Sequence, residues 1–391
     1  MARRVGMEVS IGISEAVSAC DVDVISAYPI TPQTHVVEHL SEIVAQGRLD
    51  AEYISIESEH SAMSACVGAA AAGARTFTAT CSQGLALMHE ILFIASALRL
   101  PIVMAVANRA LSAPLNIWND HSDAMSDRDC GWIQVFAENG QEAFDLTVMA
   151  FRIGEDPRVL LPVIVNFDGF ILSHVVEPME LLSREEVAKY VPPYVPQIRL
   201  DPRAPVTMGP VGIPEIYTET RLAHDHVLRE SKATVEEAFA KFAEMFGRQY
   251  RSVETYRAED ADVLLLTMGG ISETAMSAMD RLREQGKSVG LVRLRLWRPF
   301  PFGELAAALE HCKVLAVVDR ALSTGGPGGP VASEVKAALY HQANRPTVVE
   351  FIAGLGGRDV RVEDFFTIYE KAAKVLAGGT LPPFEIIGVR S

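Results

Sequence analysis

The stretch from Thr76-Phe-Thr-Ala-Thr80 through Cys81-Ser-Gln-Gly84 to Ile102-Val-Met-Ala-Val-Ala107 decides the fold class. Its two ends are short runs of apolar and β-branched residues. Between them, Leu85–Leu98 carries helix periodicity that stops before Pro101. Near-continuous runs mark strands covered on both faces, whereas half-exposed strands alternate. Strand, helix and strand in that order form a parallel crossover unit. The pattern continues outward: Val22–Ala27, Tyr53–Ile56 and Val163–Phe167 read as further strands, and His60–Ala74 reads as an Ala-rich helix. The first half of the chain is therefore expected to be an α/β layered domain with a mostly parallel sheet.

Residues 177–214 look like a strap or linker, because Val191-Pro-Pro-Tyr-Val-Pro196 and Asp201-Pro-Arg-Ala-Pro205 suit neither a helix nor a central strand. A heavily charged helix is expected next, over about 215–246. A second, smaller α/β unit begins at Asp262, with strands expected at Val263–Thr267, Val289–Leu294, Val314–Val318 and Val348–Phe351. The expected division is 1–250 for the first domain with its linker and helix, and 257–391 for the second.

At 391 residues the chain is long enough for two domains or three. With 49% apolar residues and a mean hydropathy of +0.17, it can fill substantial cores and still leave apolar surface for a subunit interface. A net charge of −15 disfavours nucleic acid, which needs a basic footprint, and an anionic membrane surface. No apolar run approaches the roughly 18–20 residues of a membrane span. The start is basic, but Glu8 and Glu15 interrupt the apolar stretch after it, so a secretory signal is not expected and a cytoplasmic location is. The five cysteines form no C-x-x-C pair, which excludes a zinc ribbon or a ferredoxin-type cluster built from neighbouring thiols. If the chemistry is redox, its electron carriers sit on another chain.

Ligands of open α/β sheets bind at the carboxyl ends of the strands, so the loops there are the candidates. Ala27-Tyr-Pro-Ile-Thr-Pro-Gln33 is stiffened by two prolines and presents Thr31; its plainer reading is a rigid turn. Glu57-Ser-Glu-His-Ser61 opens the Ala-rich helix, where carboxylates often serve only the helix start. The turn Thr80-Cys-Ser-Gln-Gly-Leu85 lacks the G-x-S-x-G of a serine hydrolase but could offer backbone N–H groups to a ligand. Arg109 ends the fourth strand and is suited to gripping a carboxylate, or to pairing with Asp120 or Asp123. Asp120, His121, Asp123, Asp127 and Asp129 invite a metal reading, but their spacing does not match a calcium loop and no metal site is assigned. In Thr324-Gly-Gly-Pro-Gly-Gly-Pro330 the prolines remove donors a phosphate cradle needs, so a turn packed against a neighbouring chain is expected.

Taken together, Ala27–Gln33, Glu59-His-Ser-Ala-Met63, Gly73-Ala-Arg-Thr-Phe-Thr78, Cys81-Ser-Gln-Gly-Leu85, Asn116-Ile-Trp-Asn-Asp-His-Ser-Asp123, Leu161-Pro-Val-Ile-Val-Asn-Phe-Asp-Gly-Phe-Ile171 and Val292-Arg-Leu-Arg-Leu-Trp-Arg-Pro-Phe-Pro301 resemble the alpha subunit of the pyruvate/2-oxoacid:ferredoxin oxidoreductase family. The order and spacing of the motifs carry the resemblance across nearly the whole chain. It implies a thiamine diphosphate enzyme in which Glu59 hydrogen-bonds the aminopyrimidine ring, Thr31 contacts the substrate's carboxylate or keto oxygen, and Arg109 pairs with that carboxylate. Tyr28, Pro29, Ser82 and Gln83 are the further candidate cofactor contacts. Glu57 rivals Glu59 for the carboxylate role, and Cys81 stands where a serine or alanine is expected.

The resemblance also implies partners. The G-D-G run of a diphosphate and Mg²⁺ site is missing, since Asp168-Gly169 follows Phe167. That half of the cofactor site is expected on a beta subunit, with iron–sulfur clusters on other subunits. Gamma and ferredoxin-like delta subunits would complete electron transfer and acyl transfer to coenzyme A, with ferredoxin, or NAD through another subunit, as acceptor. The second unit resembles a transketolase C-terminal-like domain, whose family role is assembly. Pyruvate is the favoured 2-oxoacid. Arylglyoxylate-type, branched 2-oxoacid, 2-oxoglutarate and oxalate enzymes share these loops, and a non-catalytic assembly scaffold is the reading from another class.

Overall fold

The computed structural model describes residues 3–390, so Met1 and Ala2 of the basic start lie outside the described residues. The first unit is built on a seven-stranded sheet ordered Leu296–Arg298, Ile133–Phe136, Val163–Asp168, Val103–Asn108, Thr76–Thr80, Val24–Ala27, Glu52–Ser55. All of its pairings are parallel except that of Leu296–Arg298, which runs antiparallel to Ile133–Phe136. Residues along one strand alternate between two helical layers. Val103, Ala105 and Ala107 join a core with the helices Val9–Ala19, Thr34–Ala45 and Gly140–Gly154, while Ile102, Met104 and Val106 join another with Glu59–Ala72 and Ser82–Ala97. Both faces are covered, which is why these strands read as continuous apolar runs. Phe77 is fully buried in the first of these cores, and truncating it to Ala would cost about 3–5 kcal/mol.

The second unit repeats the plan on a six-stranded sheet ordered Glu385–Ile386, Thr347–Ile352, Val314–Asp319, Val263–Thr267, Val289–Leu294, Val253–Tyr256. Leu264 and Leu266 face one core, Val263 and Leu265 the other. The four strands expected here are all present, and only the outermost ones escaped the sequence reading.

Two expectations need correction. The segment 177–214 is not one irregular strap. Val176–Leu181 is a strand paired antiparallel with Arg3–Glu8, and Ser183 with Glu186 forms a capping box that starts the helix Arg184–Tyr190. Of the strand's residues only Met179 is buried, so the run lacked the apolar continuity that marked the others. The irregular part is confined to 191–213. The charged helix is real and long, Pro214–Phe246; residues 214–223 are exposed, and packing on the body begins at about His224 and becomes full burial from Ser231.

Candidate active site

Parallel pairing brings the carboxyl ends of Glu52–Ser55, Val24–Ala27, Thr76–Thr80 and Val103–Asn108 to one edge of the sheet. Each of the four candidate loops leaves from one of these strands. The carbonyl oxygen of Thr31 is where three of them meet: it accepts from Arg109 Nη1 at 2.8 Å and from the Cys81 thiol at 3.1 Å. Burial pushes the Cys81 thiol up to about 12, so it stays neutral and acts as a donor. Buried Gln33 ties the loop from within, donating from Nε2 to Tyr28 O at 2.9 Å. Tyr28, Pro29 and Thr31 themselves are exposed on the open side of the edge.

Glu59 and Glu57 part company. Glu59 is the first residue of the helix Glu59–Ala72, capped by Ser58, whose side chain accepts from the Ser61 N–H, and its carboxylate is buried; Glu57 is exposed. The Glu59 carboxylate lies directly on Gly84 in the neighbouring turn. A Cβ added at Gly84 would sit 2.8 Å from Glu59 Oε1 and would also collide with Thr80 Oγ1. Gly84 is thus the residue that lets the carboxylate reach the sheet edge, a role that spacing alone did not reveal.

Ser82 and Gln83 separate as well. Ser82 is fully buried with φ +47°, an uncommon conformation for a residue with a side chain. Its hydroxyl donates to Ala110 O at 2.7 Å, and its backbone N–H donates to Asp123 Oδ2 at 2.9 Å. Ser82 therefore belongs to the scaffold of the turn and is not placed as the cofactor contact expected of it. Gln83 beside it is partly open.

Asp123 is the hidden centre of the edge. Its carboxylate accepts from the N–H groups of Ser82, Arg109 and Ala124 and from Asn108 Nδ2, pinning the ends of two adjacent strands. Burial raises it to about 7 in spite of these donors. Its acidic neighbours serve other partners. Asp120 accepts from Ser122 and from Gly356 N, and Asp127 takes His89 Nδ1 at 2.5 Å. The cluster that looked like ligand material in sequence is divided among backbone and side-chain donors.

Arg109 is buried. Its Nε donates to Asn116 O at 2.8 Å, and the guanidinium pairs with neither Asp120 nor Asp123. Among the described residues it forms no ion pair, and Nη2 has no protein partner. This is a cation held at the sheet edge by two carbonyls, with its charge unanswered among the described residues.

Asp168 joins the two units. It is fully buried, accepts from Arg320 Nη1 and from Gly270 N at 3.2 Å, and meets His121 Nε2 at 3.1 Å. Burial alone would raise it, but Arg320 and His121 outweigh that and hold it at about 2. The glycine-rich loop of the second unit folds over two buried acids. Asp319 accepts from the N–H groups of Val331 and Ala332, each at 2.9 Å, and Glu350 accepts from the N–H of Gly329. Three N–H groups at the end of this loop are thus already taken by protein carboxylates.

The chain as a whole is similar to proteins already known. Residues 15–240 match the family model described as pyruvate flavodoxin/ferredoxin oxidoreductase, thiamine diphosphate-binding. This chain belongs to that family. Residues 261–365 of this oxidoreductase subunit match pyruvate:ferredoxin oxidoreductase core domain II. It is 50% identical over 369 residues to pyruvate synthase subunit PorA of Pyrococcus furiosus, covering 94% of this chain and 93% of the relative. The Methanocaldococcus jannaschii subunit of the same name is also 50% identical, with 94% of each chain covered. Ketoisovalerate oxidoreductase subunit VorA of Pyrococcus horikoshii is 43% identical over 92% of this chain and 91% of its own. The fold resembles the solved 2-oxoglutarate:ferredoxin oxidoreductase from Magnetococcus marinus, with a TM-score of 0.70 at 20% identity; 95% of this chain is covered and it spans 65% of that one. An inactive split-gene transketolase tetramer gives a TM-score of 0.55 at 13% identity, over 95% of this chain and 99% of that one. No helix among the described residues is long and apolar enough to cross a membrane.

Proposed function

We propose that this oxidoreductase subunit forms the pyrimidine half of a thiamine diphosphate site and acts on pyruvate, as the names of its 50%-identical relatives support. The single observation that carries the reading is Glu59: a buried carboxylate at a helix start, cleared by Gly84 to reach the sheet edge where Arg109 waits without a counter-charge. Glu59 is set to hydrogen-bond a ring nitrogen of the aminopyrimidine, and Tyr28, Pro29 and Gln83 border the same edge. Bound thiamine diphosphate supplies the nucleophilic carbon and the electron sink for decarboxylation. Arg109 offers its free Nη2, and Thr31 its exposed hydroxyl, to the carboxylate and keto oxygen of the substrate.

The diphosphate and Mg²⁺ belong on a beta subunit, because Asp168, the residue nearest to a G-D-G run, is spent on Arg320 and His121. Iron–sulfur clusters belong on further subunits, since the cysteines of this chain are not gathered into a ligand group among the described residues. Gamma and ferredoxin-like delta subunits, coenzyme A as acyl acceptor, ferredoxin as electron acceptor and a cytoplasmic setting complete the proposal. We place the division between the units at 1–250 and 257–391. The 43%-identical ketoisovalerate subunit favours a branched 2-oxoacid as the second reading. The test is Glu59→Gln in the assembled complex: oxidation of pyruvate should stop while the subunits still co-purify. Undiminished turnover would remove the assignment. A panel of 2-oxoacids with a ferredoxin analogue and with NAD separates the substrate readings.

A further inference from the structure

The second unit touches the loop that holds Arg109. Its turn Leu355–Gly357 carries φ of +58° at Gly356 and +78° at Gly357. Gly356 O accepts from Asn116 Nδ2 at 3.0 Å, Gly356 N donates to Asp120 Oδ2 at 3.1 Å, and Gly357 N donates to Asn119 O at 2.6 Å. The contact leaves no room for side chains. A Cβ on Gly356 would stand 2.5 Å from Asn116 Nδ2, and one on Gly357 would enter the Trp118 side chain, 3.0 Å from Cγ.

On its other side Asn116 is joined to the arginine. Asn116 O accepts Arg109 Nε at 2.8 Å, Asn116 Oδ1 accepts the Trp118 N–H at 2.6 Å, and Trp118 O accepts the Ala110 N–H at 3.0 Å. The loop closes on itself and is pressed from outside by the glycine turn. Arg109 has two side-chain anchors, and they come from different places: Thr31 within the sheet edge, and Asn116, which the second unit clamps. A guanidinium is a rigid fork on a flexible stem, so fixing two of its nitrogens sets where the third points.

We propose that the Leu355–Gly357 turn sets the position of Arg109 through Asn116, so that the second unit governs 2-oxoacid binding as well as assembly. This rests on the reading of Arg109 as the partner of the substrate carboxylate. Asn116 is then a positioning residue, and Gly356 is required so that the turn can reach it.

The test places Gly356→Ala in the native multi-subunit assembly, alone and together with Arg109→Ala, and measures KM and kcat for pyruvate. Gly378→Ala is the control: it has the same left-handed backbone, φ +88°, with nothing within 4 Å of an added Cβ. Gly356→Ala should raise KM roughly tenfold or more while kcat at saturation changes far less, because misplacement of a binding group by about 1 Å can cost up to about a hundredfold. Gly378→Ala should leave both constants unchanged, and Gly356→Ala should add nothing to Arg109→Ala. An unchanged KM in Gly356→Ala overturns the proposal, as does a full effect of Gly356→Ala on top of Arg109→Ala. An unchanged KM in Arg109→Ala alone overturns the arginine reading itself, and the proposal with it. Should Gly356→Ala fail to assemble, Asn116→Ala is read by the same criteria.

Discussion

A buried guanidinium without a counter-ion is costly unless a ligand supplies the missing charge. Among the described residues Arg109 is in that state, and it yields a sharp expectation. Arg109→Ala should raise KM for pyruvate about ten- to a hundredfold, consistent with the roughly 1.5–3 kcal/mol of a charge-assisted hydrogen bond. Arg109→Lys should recover little of this, because a single ammonium nitrogen lacks the planar fork whose separate Nε and Nη1 reach Asn116 O and Thr31 O while Nη2 is aimed elsewhere. Cys81 gives a second expectation. With its thiol pushed up to about 12 by burial, it should resist alkylation at pH 8 in the folded chain and react only on unfolding, as mass spectrometry after brief iodoacetamide treatment can show. Of the residues singled out in sequence, Thr31, Glu59 and Arg109 do lie at one edge, because parallel strands deliver their carboxyl ends together. Ser82 does not present itself, since its hydroxyl turns back to Ala110. Asp123 was visible only as one acid among several. Its true partners are backbone N–H groups, whose positions depend on strand order and leave no trace in side-chain identity.

Among the elements, the close approach of two helix starts is decisive. The helices Glu59–Ala72 and Ser82–Ala97 begin side by side, and Gly84 lets the carboxylate of one lie on the backbone of the other. Gly84→Ala should therefore lower turnover by at least tenfold while the far-ultraviolet circular dichroism of the chain is retained, since alanine is at home in a helix and only the contact is lost. Loss of helix signal would place the glycine's role in folding. At this scale the sequence was legible wherever burial on both faces wrote a continuous apolar run. It was illegible where a polar residue interrupts the run, where the strand is a three-residue edge, or where only one side chain is buried. Ile133–Phe136 has Gln134 within it, Leu296–Arg298 is a short edge, and Val176–Leu181 buries a single side chain. Their pairing partners lie far away in the chain, so local pattern could not announce them.

For the whole molecule, Asp168 is the rivet between units. Held at about 2 against an ordinary value near 4, it contributes stability that is present above about pH 4 and is lost as pH falls toward 2, on the order of 2 kcal/mol. Asp168→Asn at pH 7 should cost about 3–5 kcal/mol, because Arg320 is left buried without its charge partner. The gap between the two chains should narrow as pH drops from 5 to 3, which urea melts across that range can measure. A gap that widens on acidification would show that the pair is not what joins the units. The division into two α/β units was readable from the Pro-rich segment and the renewed strand pattern. The joint between them was not, because it depends on single contacts such as Asp168 with Arg320 and Asn116 with Gly356.

Leu296–Arg298 travels in the second unit's stretch of chain but completes the first unit's sheet. A gene broken anywhere between 250 and 295 would strip that sheet of its border and leave Ile133–Phe136 as a raw, adhesive margin. The two halves are thus tied in inheritance as well as in space: neither can be shed, swapped or fused elsewhere without carrying a splinter of the other.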